Sequence, residues 1–187
     1  MKKYMIIIVL MSLIVVGCSE QSSILAPTND NTSTEPNWIA LPSNNSLSVN
    51  ADVSTSRLLY GTDESLLEIN TGYAGGRFGW VSITANARFQ RYSFTGSRYT
   101  TMSINDQFGA ATFSPSGTFT KPVIYNLTIM GVDLTNVDPS KVSFVYMSPD
   151  GKYYKPVYDK IYVEKQSGKL QIINAQLPHF SRYGFIN

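Results

Sequence analysis

Residues 141–158 read KVSFVYMSPDGKYYKPVY, and this stretch indicates the fold class. Apolar and aromatic residues alternate with polar ones on both sides of Ser148-Pro149-Asp150-Gly151, and a period of two residues is typical of strands with one buried face. Proline presets the first central turn angle, and glycine accepts a positive φ at the end of the turn. We therefore predict a hairpin that joins strands at 141–147 and 152–158.

The same alternation continues through the chain beyond Ser56, without a long stretch of helical period. Turn clusters at Gly75-Gly76 and Gln166-Ser167-Gly168 separate the runs. One short helix is predicted at Asp63–Ile69, where an acidic first turn precedes two leucines. The predicted strands are 80–85, 88–94, 98–104, 110–113, 123–130, 141–147, 152–158, 160–164, 169–174 and 182–186. This pattern predicts an all-β fold, an antiparallel β-sandwich of immunoglobulin-like architecture.

Composition limits the size and the chemistry of the protein. The chain has 187 residues, of which 43% are hydrophobic and 15% are charged, which suits one domain with a packed core. A single cysteine and a single histidine exclude an internal disulfide and a structural zinc site. We therefore expect no cofactor and no metal. Motifs for a nucleophile elbow, a phosphate-binding loop or a zinc protease do not occur.

The amino terminus has the layout of a secretory signal peptide. A basic start, Met1-Lys-Lys-Tyr4, precedes an apolar run at Met5–Val16, which is short for a membrane span of about 20 residues. Small residues then lead to Cys18. Residues 1–17 are therefore predicted to be removed. Removal of two lysines leaves 13 basic and 13 acidic residues, a balance that does not favour nucleic acid.

The segment Val15-Val16-Gly17-Cys18 resembles the lipobox of bacterial lipoproteins. That resemblance implies a Cys18 that carries diacylglycerol on its thiol and a further acyl chain, such as palmitate, on its amino group. Several acyl chains on one residue anchor a protein firmly to a membrane. Because Ser19 follows the cysteine, the outer membrane of the cell envelope is favoured over the inner membrane. The alternatives are an uncut apolar helix and a plain secretory signal with an incidental cysteine.

Residues 18–55 have the composition of a tether between the anchor and a domain at 56–187. Between Ser19 and Thr55, 18 of 37 residues are Ser, Thr or Asn. A flexible coil of this length spans about 30–35 Å, enough to hold the domain clear of lipid headgroups. Inside the tether, Trp38–Pro42 is an apolar island. It either packs on the domain as an edge segment or serves as a short docking motif for a partner.

The sequence Phe113-Ser-Pro115-Ser-Gly117-Thr-Phe119-Thr-Lys121-Pro122-Val123 has an evident architectural role. Proline and glycine bend the chain between two phenylalanines that can bury their rings, and Pro122 removes a ladder donor where the next strand begins. The segment also resembles a signature of bacterial members related to the ZU-five domain family. The chain end, Pro178-His179-Phe180-Ser181-Arg182-Tyr183, resembles the closing motif of the same family.

The ZU-five resemblance covers Ala110–Asn187, or 78 of 187 residues. It departs from the family at Tyr153-Tyr154, where a tryptophan often lies, and the upstream Ile-Pro-x-Gly-Ala-Leu segment is missing. The resemblance implies a sandwich-like module that works mainly through protein contacts. Some family members also cut their own backbone between the phenylalanine and the serine of the closing motif.

Self-cleavage at Phe180-Ser181 would use Ser181 as the nucleophile and His179 as the base. The serine hydroxyl would attack the preceding carbonyl, and water would then hydrolyse the resulting ester. A cut here would release residues 181–187, and no following domain would be freed. The competing interpretation, which we favour, is structural: His179 binds a turn, Phe180 fills the core and Ser181 begins the last strand.

Two further patterns allow ligand hypotheses. Four arginines between Arg77 and Arg98 alternate with aromatic residues, as they do in half-buried strands and also in polyanion-binding surfaces. We favour ordinary sheet faces, with saccharide contact through exposed Tyr or Trp as the remaining option. Asp133, Asp138 and Asp150 would hold calcium only if folding brought them together.

These observations favour a non-catalytic, lipid-anchored envelope protein that binds another protein. A self-cleaving domain and a glycan-binding surface lipoprotein are the alternatives.

Overall fold

The computed structural model describes residues 36–43, 52–105, 107–148 and 152–187. Within these ranges the chain forms strands and no helix, which confirms the predicted all-β class. The strands are β1 Val53–Tyr60, β2 Ser65–Ala74, β3 Trp80–Phe89, β4 Ser97–Ile104, β5 Ala110–Met130, β6 Ser143–Met147, β7 Tyr153–Tyr154, β8 Lys160–Glu164 and β9 Lys169–Ile186. In this part of the chain, no helix has the length and hydropathy to cross a membrane.

Two long strands, β5 and β9, connect the two layers of a sandwich-like fold. β5 pairs with β9 first along Ala110–Thr118 and again along Val123–Ile129, and the register of the pair shifts in between. Irregularities of this kind bend a strand and increase its twist. Each long strand therefore contributes one segment to each layer.

We call the two layers the front sheet and the back sheet. The front sheet contains β1, β4, β6 and β7 beside the first segment of β5 and the end of β9. The back sheet contains β2, β3 and β8 beside the second segment of β5 and the start of β9. Every strand pair in both sheets is antiparallel.

One apolar core lies between the front and back sheets. Where β5 and β9 cross, the Phe180 ring lies 5.0 Å from that of Phe113, 4.6 Å from that of Phe119 and 5.8 Å from that of Phe89, centroid to centroid. Aromatic pairs in such geometries contribute about 0.5–1.5 kcal/mol each beyond their buried area. The predicted burial is confirmed for Phe113, whereas Phe119 is partly buried and packs against the core.

The apolar island Trp38–Pro42 packs on the sandwich, which confirms the first of its two interpretations. Trp38 forms an antiparallel bridge with Ile186 at the end of β9. Its indole lies in a small cluster on the outer side of the front sheet, while Ile39 and Leu41 join the main core.

The two ends of the described domain meet beside this island. The side-chain amide of Asn37 donates to the carbonyl oxygen of Asn187 at 3.1 Å, and the Asn187 backbone N–H donates to the Asn37 carbonyl oxygen at 3.2 Å. The folded domain thus includes residues that composition placed in the tether at 18–55. β1 also begins at Val53, inside the predicted tether. Serine and threonine occur both in tethers and in strands with a solvent-facing side, so composition did not locate this boundary.

The predicted helix at Asp63–Ile69 is wrong. This segment lies largely in β2, where Leu67 and Ile69 are buried and their neighbours face outward. Leu67 pairs with Ala87 of β3. β2 and β3 have ten residues each and pair along their whole length. This pairing outweighs the helix propensity of two leucines, which is a weak local preference.

Several predicted strand limits also differ from the structure. β5 is one strand where two were predicted, at 110–113 and 123–130. β9 likewise replaces the two strands predicted at 169–174 and 182–186. The predicted strands 80–85 and 88–94 become one strand that ends at Phe89, since Tyr92 adopts a positive φ of 62°. The strand predicted at 152–158 shortens to β7 because Pro156 has no N–H for a ladder.

The predicted hairpin between β6 and β7 is confirmed, because Tyr146 pairs with Tyr154 and Met147 pairs with Tyr153. Beyond β7, Val157 leaves this hairpin and bridges to Gln176 of β9 instead. The remaining predicted strands agree with β4, β6 and β8 to within a few residues.

Candidate functional site

The His179-Phe180-Ser181 triplet lies inside β9, where that strand crosses from the back sheet to the front sheet. His179 pairs with Thr118 of β5, and Phe180 pairs with Gly117. Phe180 is buried in the core, as the structural interpretation predicts. The prediction that Ser181 begins the last strand is wrong, because β9 is already continuous through this position.

The Ser181 hydroxyl connects two strands. It donates a hydrogen bond to the carbonyl oxygen of Met147, the last residue of β6, at 3.0 Å. A serine nucleophile needs a base that takes its proton. Among the hydrogen bonds of the described residues, none joins Ser181 to His179, so the two predicted reactive groups are not assembled in this arrangement.

Among the described residues, the His179 imidazole contacts two tyrosines instead of the turn that the structural interpretation predicts. Its ring lies 4.4 Å from the Tyr146 ring in an edge-to-face arrangement, and Nδ1 is 3.4 Å from the Tyr183 hydroxyl oxygen. That hydroxyl donates its proton to the His179 carbonyl oxygen at 2.8 Å. The longer contact to Nδ1 is therefore the weaker of the two. Burial raises the pKa of Tyr183 and keeps its hydroxyl protonated.

A cleft of about 430 Å³ opens beside this triplet. Its lining residues are Thr112, Phe113, Ser116, Tyr146, Ser148, His179, Phe180, Ser181 and Arg182. The lining supplies hydroxyl groups, an imidazole and a guanidinium, and it includes no carboxylate among the described residues. Such a surface can accept neutral or anionic groups.

The other predicted site residues are not brought together. Cys18 lies outside the described residues, as does Asp150. The carboxylate of Asp133 accepts hydrogen bonds from the N–H and hydroxyl of Thr135, and that of Asp138 accepts the same pair from Ser140. These bonds lower the pKa of both carboxyl groups. In the ranges that the structure covers, no group of three potential ligand side chains could hold a metal ion.

Three of the four arginines from Arg77 to Arg98 have partners in different parts of the fold. Their partners are Thr135 and Asp133 for Arg77, Glu64 for Arg88, and the rings of Phe94 and Phe119 for Arg98. The Arg98 guanidinium lies 5.4 Å from each ring centroid, and its Nη1 is buried. Because the positive charges point to different surroundings, they form no continuous basic stripe.

Exposed apolar and aromatic residues group on the edge of the front sheet. Leu58 of β1 lies directly opposite Tyr99 of β4, and both side chains face solvent together with Tyr60. We call these three residues the β1 patch. The sequence did not indicate this patch, because no strand was predicted between Ser56 and Asp63.

Another exposed aromatic residue, Trp80, lies on the back sheet. The indole of Trp80 is 57% exposed and lies against Gly72 of the neighbouring strand, where an added Cβ would be 2.8 Å from the indole Nε1. The sequence suggested an exposed Tyr or Trp as a saccharide contact. The position of Trp80 over Gly72 could not be predicted, because it depends on the pairing of β2 with β3.

Comparison of the chain with family models, with curated proteins and with solved structures finds no match.

Proposed function

We propose that this protein is a non-catalytic, lipid-anchored module of the bacterial cell envelope that binds another protein through the edge of β1. In this proposal the acylated Cys18 holds the chain in the outer membrane, and the Ser/Thr/Asn-rich tether spaces the domain from the lipid surface. The partner contributes an extended segment that continues the front sheet.

The free edge of β1 is the observation that carries the proposal. Within the described part of the chain, β1 pairs with β4 alone, so one side of an eight-residue strand presents unpaired N–H and C=O groups. Natural sheets usually protect such an edge with lysine, proline or a bulge. β1 contains neither lysine nor proline, Arg57 is its single charged residue, and its eight consecutive pairs with β4 are regular.

The β1 patch supplies side-chain contacts beside this edge. Tyr99 is 64% exposed, Tyr60 51% and Leu58 45%. Addition of a strand gives main-chain hydrogen bonds, and alternate side chains of the added strand contact the neighbouring surface. Tyrosine is also enriched in protein interfaces, because it combines a large apolar ring with a hydroxyl. Both features favour an extended peptide as the ligand.

The resemblance of residues 110–187 to the ZU-five family agrees with this proposal, since it implies a module that works through protein contacts. The arrangement around Ser181, whose hydroxyl is bonded to Met147, gives no support to the self-cleaving alternative.

The anchor is tested by labelling cells with radioactive or clickable palmitate. We expect label in the wild-type protein and none in Cys18→Ala, and fractionation should place the wild type in the outer membrane. An unlabelled wild-type protein that retains Met1 would overturn the anchor.

The binding surface is tested by crosslinking in cells followed by affinity purification of the anchored protein. A Leu58→Lys/Tyr99→Lys variant should lose its crosslinked partner, because charges on an edge oppose strand addition. Tyr92→Lys, which alters an equally exposed tyrosine in the turn between β3 and β4, should keep the partner. If both variants crosslink as the wild type does, or if the partner is a second copy of the chain, the proposal is wrong.

A further inference from the structure

The outer face of the back sheet presents a row of uncharged polar side chains across five strands. Its members are Asn70 of β2, Thr84 of β3, Thr128 of β5, Gln171 of β9 and Tyr162 of β8, each paired with the next. Since neighbouring strands lie about 4.8 Å apart, the row is about 19 Å long. Backbone register alone therefore places these hydroxyl and amide groups side by side across the sheet.

Side-chain hydrogen bonds hold part of this face in a defined arrangement. Gln171 Nε2 donates to the Thr128 hydroxyl oxygen at 3.1 Å. In the adjacent row, Asn126 Nδ2 donates to Asn86 Oδ1 at 3.0 Å, while Asn126 Oδ1 accepts the backbone N–H of Asn174 at 2.9 Å. A polar surface that is ordered before binding loses less conformational entropy when a ligand arrives.

Trp80 adds an aromatic platform at one end of this polar face. Its indole lies against Gly72, which pairs with Ser82 two positions from Asn70 and Thr84 in the sheet. Gly72 leaves room for the ring, because any side chain there would approach the indole within 3 Å. The ring is thus held close to the sheet while more than half of the residue is exposed.

We propose that this face, composed of the polar row, the Asn86–Asn126 pair and Trp80, binds a neutral polysaccharide. A pyranose ring has apolar C–H faces that stack on an indole, and its edge carries hydroxyl groups that both donate and accept hydrogen bonds. Amide and hydroxyl side chains offer both functions as well. An extended sugar chain that lies along the row can place one ring on Trp80 and its neighbours on the amides.

Charge complementarity favours a neutral glycan over a polyanion. None of the five side chains in the row is charged. In the adjacent row the acidic Glu68 lies opposite Asn86, and at the far end Lys160 and Lys169 lie 4.3 Å and 5.6 Å from the Tyr162 ring centroid in cation–π contacts. Phosphate or sulfate groups would need guanidinium or ammonium groups along their path. This face is on the opposite sheet from β1, so the inference does not depend on the proposed protein partner.

The two tryptophans of the chain make the test direct, since Trp38 is buried and Trp80 is exposed. The full mature protein, in a detergent without a sugar headgroup, is titrated with cellohexaose, chitohexaose, maltohexaose and mannohexaose. We expect at least one oligosaccharide to bind saturably, with a Kd of about 10 μM to 1 mM. It should also protect Trp80 fluorescence from acrylamide. The four sugars distinguish plain glucans from N-acetylated and mannose-type polymers.

Three variants locate the binding. Trp80→Ala should weaken binding at least about tenfold, equivalent to 1.4 kcal/mol, and Thr84→Val, which removes a hydroxyl at nearly constant shape, should weaken it several-fold. Gly72→Ala should also weaken it by displacing the indole. Tyr92→Ala, a similarly exposed aromatic residue elsewhere, is the matched control and should bind as the wild type does. Circular dichroism verifies that each variant is folded.

The proposal is overturned if none of the four sugars binds below about 10 mM, or if Trp80→Ala binds as tightly as the wild type. It is also overturned if Trp80→Ala abolishes the crosslink to an envelope protein while no sugar binds, because the face would then be a protein interface.

Discussion

The guanidinium of Arg182 lies over the indole ring of Trp38, with Cζ 5.3 Å from the ring centroid. This contact joins the segment that precedes β1 to the last strand of the sandwich. Cation–π contacts contribute about 0.5–2 kcal/mol, with the larger values for desolvated pairs. Because Trp38 is 5% exposed, the island is an integral part of the domain.

Trp38→Ala should lower the free energy of unfolding by about 3–5 kcal/mol, the usual cost of removing a buried tryptophan. Trp38→Phe should cost less, because the indole Nε1 is buried without a hydrogen-bond partner and its removal leaves no orphaned donor. Urea denaturation followed by circular dichroism measures both. A cost below about 1 kcal/mol for Trp38→Ala would mean that the island is not packed.

Unfolding should become easier above pH 10, because burial raises the pKa of both Tyr125 and Tyr183 in the folded protein. In the unfolded chain these groups ionise near pH 10. Their contribution to stability is therefore complete below that pH and decreases by about 1.4 kcal/mol per pH unit for each tyrosine as the pH rises.

Tyr125→Phe should remove one of these two contributions, which urea denaturation between pH 9 and pH 11.5 will measure. At pH 7 the variant should be at least as stable as the wild type, because the Tyr125 hydroxyl is buried without a hydrogen-bond partner. Tyr92→Phe, at an exposed position, is the control and should keep the full pH dependence. Equal slopes for all three proteins would contradict the assigned burial.

Gly131→Ala should be much more destabilising than Gly79→Ala. Both glycines have a left-handed backbone, with φ of 85° and 77°, which costs a residue with a side chain about 1–2 kcal/mol. A Cβ at Gly131 would also be 2.1 Å from the carbonyl oxygen of Trp80, whereas Gly79 has open space. The clash should add about 1–3 kcal/mol. Thermal and urea unfolding of the two variants will show whether this difference exists.

Ser181→Ala should leave the intact mass of the mature protein unchanged apart from the lost oxygen. The variant should lose about 0.5–1.5 kcal/mol of stability with the hydrogen bond to Met147. Mass spectrometry and urea denaturation provide the two measurements. A wild-type fragment that ends at Phe180, absent from Ser181→Ala, would instead favour self-cleavage.

The all-β class and most strand positions follow from local alternation, which is a property of each segment by itself. β4 and β8 illustrate this, because each has a polar and an apolar side that can be read directly. Segments whose state depends on a distant partner were harder to predict. β2 contains helix-compatible leucines but pairs along its length with β3, and the continuity of β5 through Pro115 and Gly117 depends on β4 and β9.

In the candidate site, too, local features could be predicted from the sequence and contacts between distant residues could not. The core role of Phe180 could be predicted, since a phenylalanine between polar neighbours in a strand is usually buried. The bond from Ser181 to Met147 depends on β6, and the contacts of the His179 ring depend on Tyr146 and Tyr183. The sequence alone does not bring these residues together. The polar row of the back sheet likewise exists only through the register of five strands.

The contact between Asn37 and Asn187 has a consequence for protein engineering. Because these two residues are hydrogen-bonded neighbours, the domain could be spliced into a surface loop of an unrelated host protein with both junctions only a few ångströms apart. A circular permutant could likewise be made by joining Asn37 to Asn187 with a short linker and placing new termini in the β6–β7 hairpin.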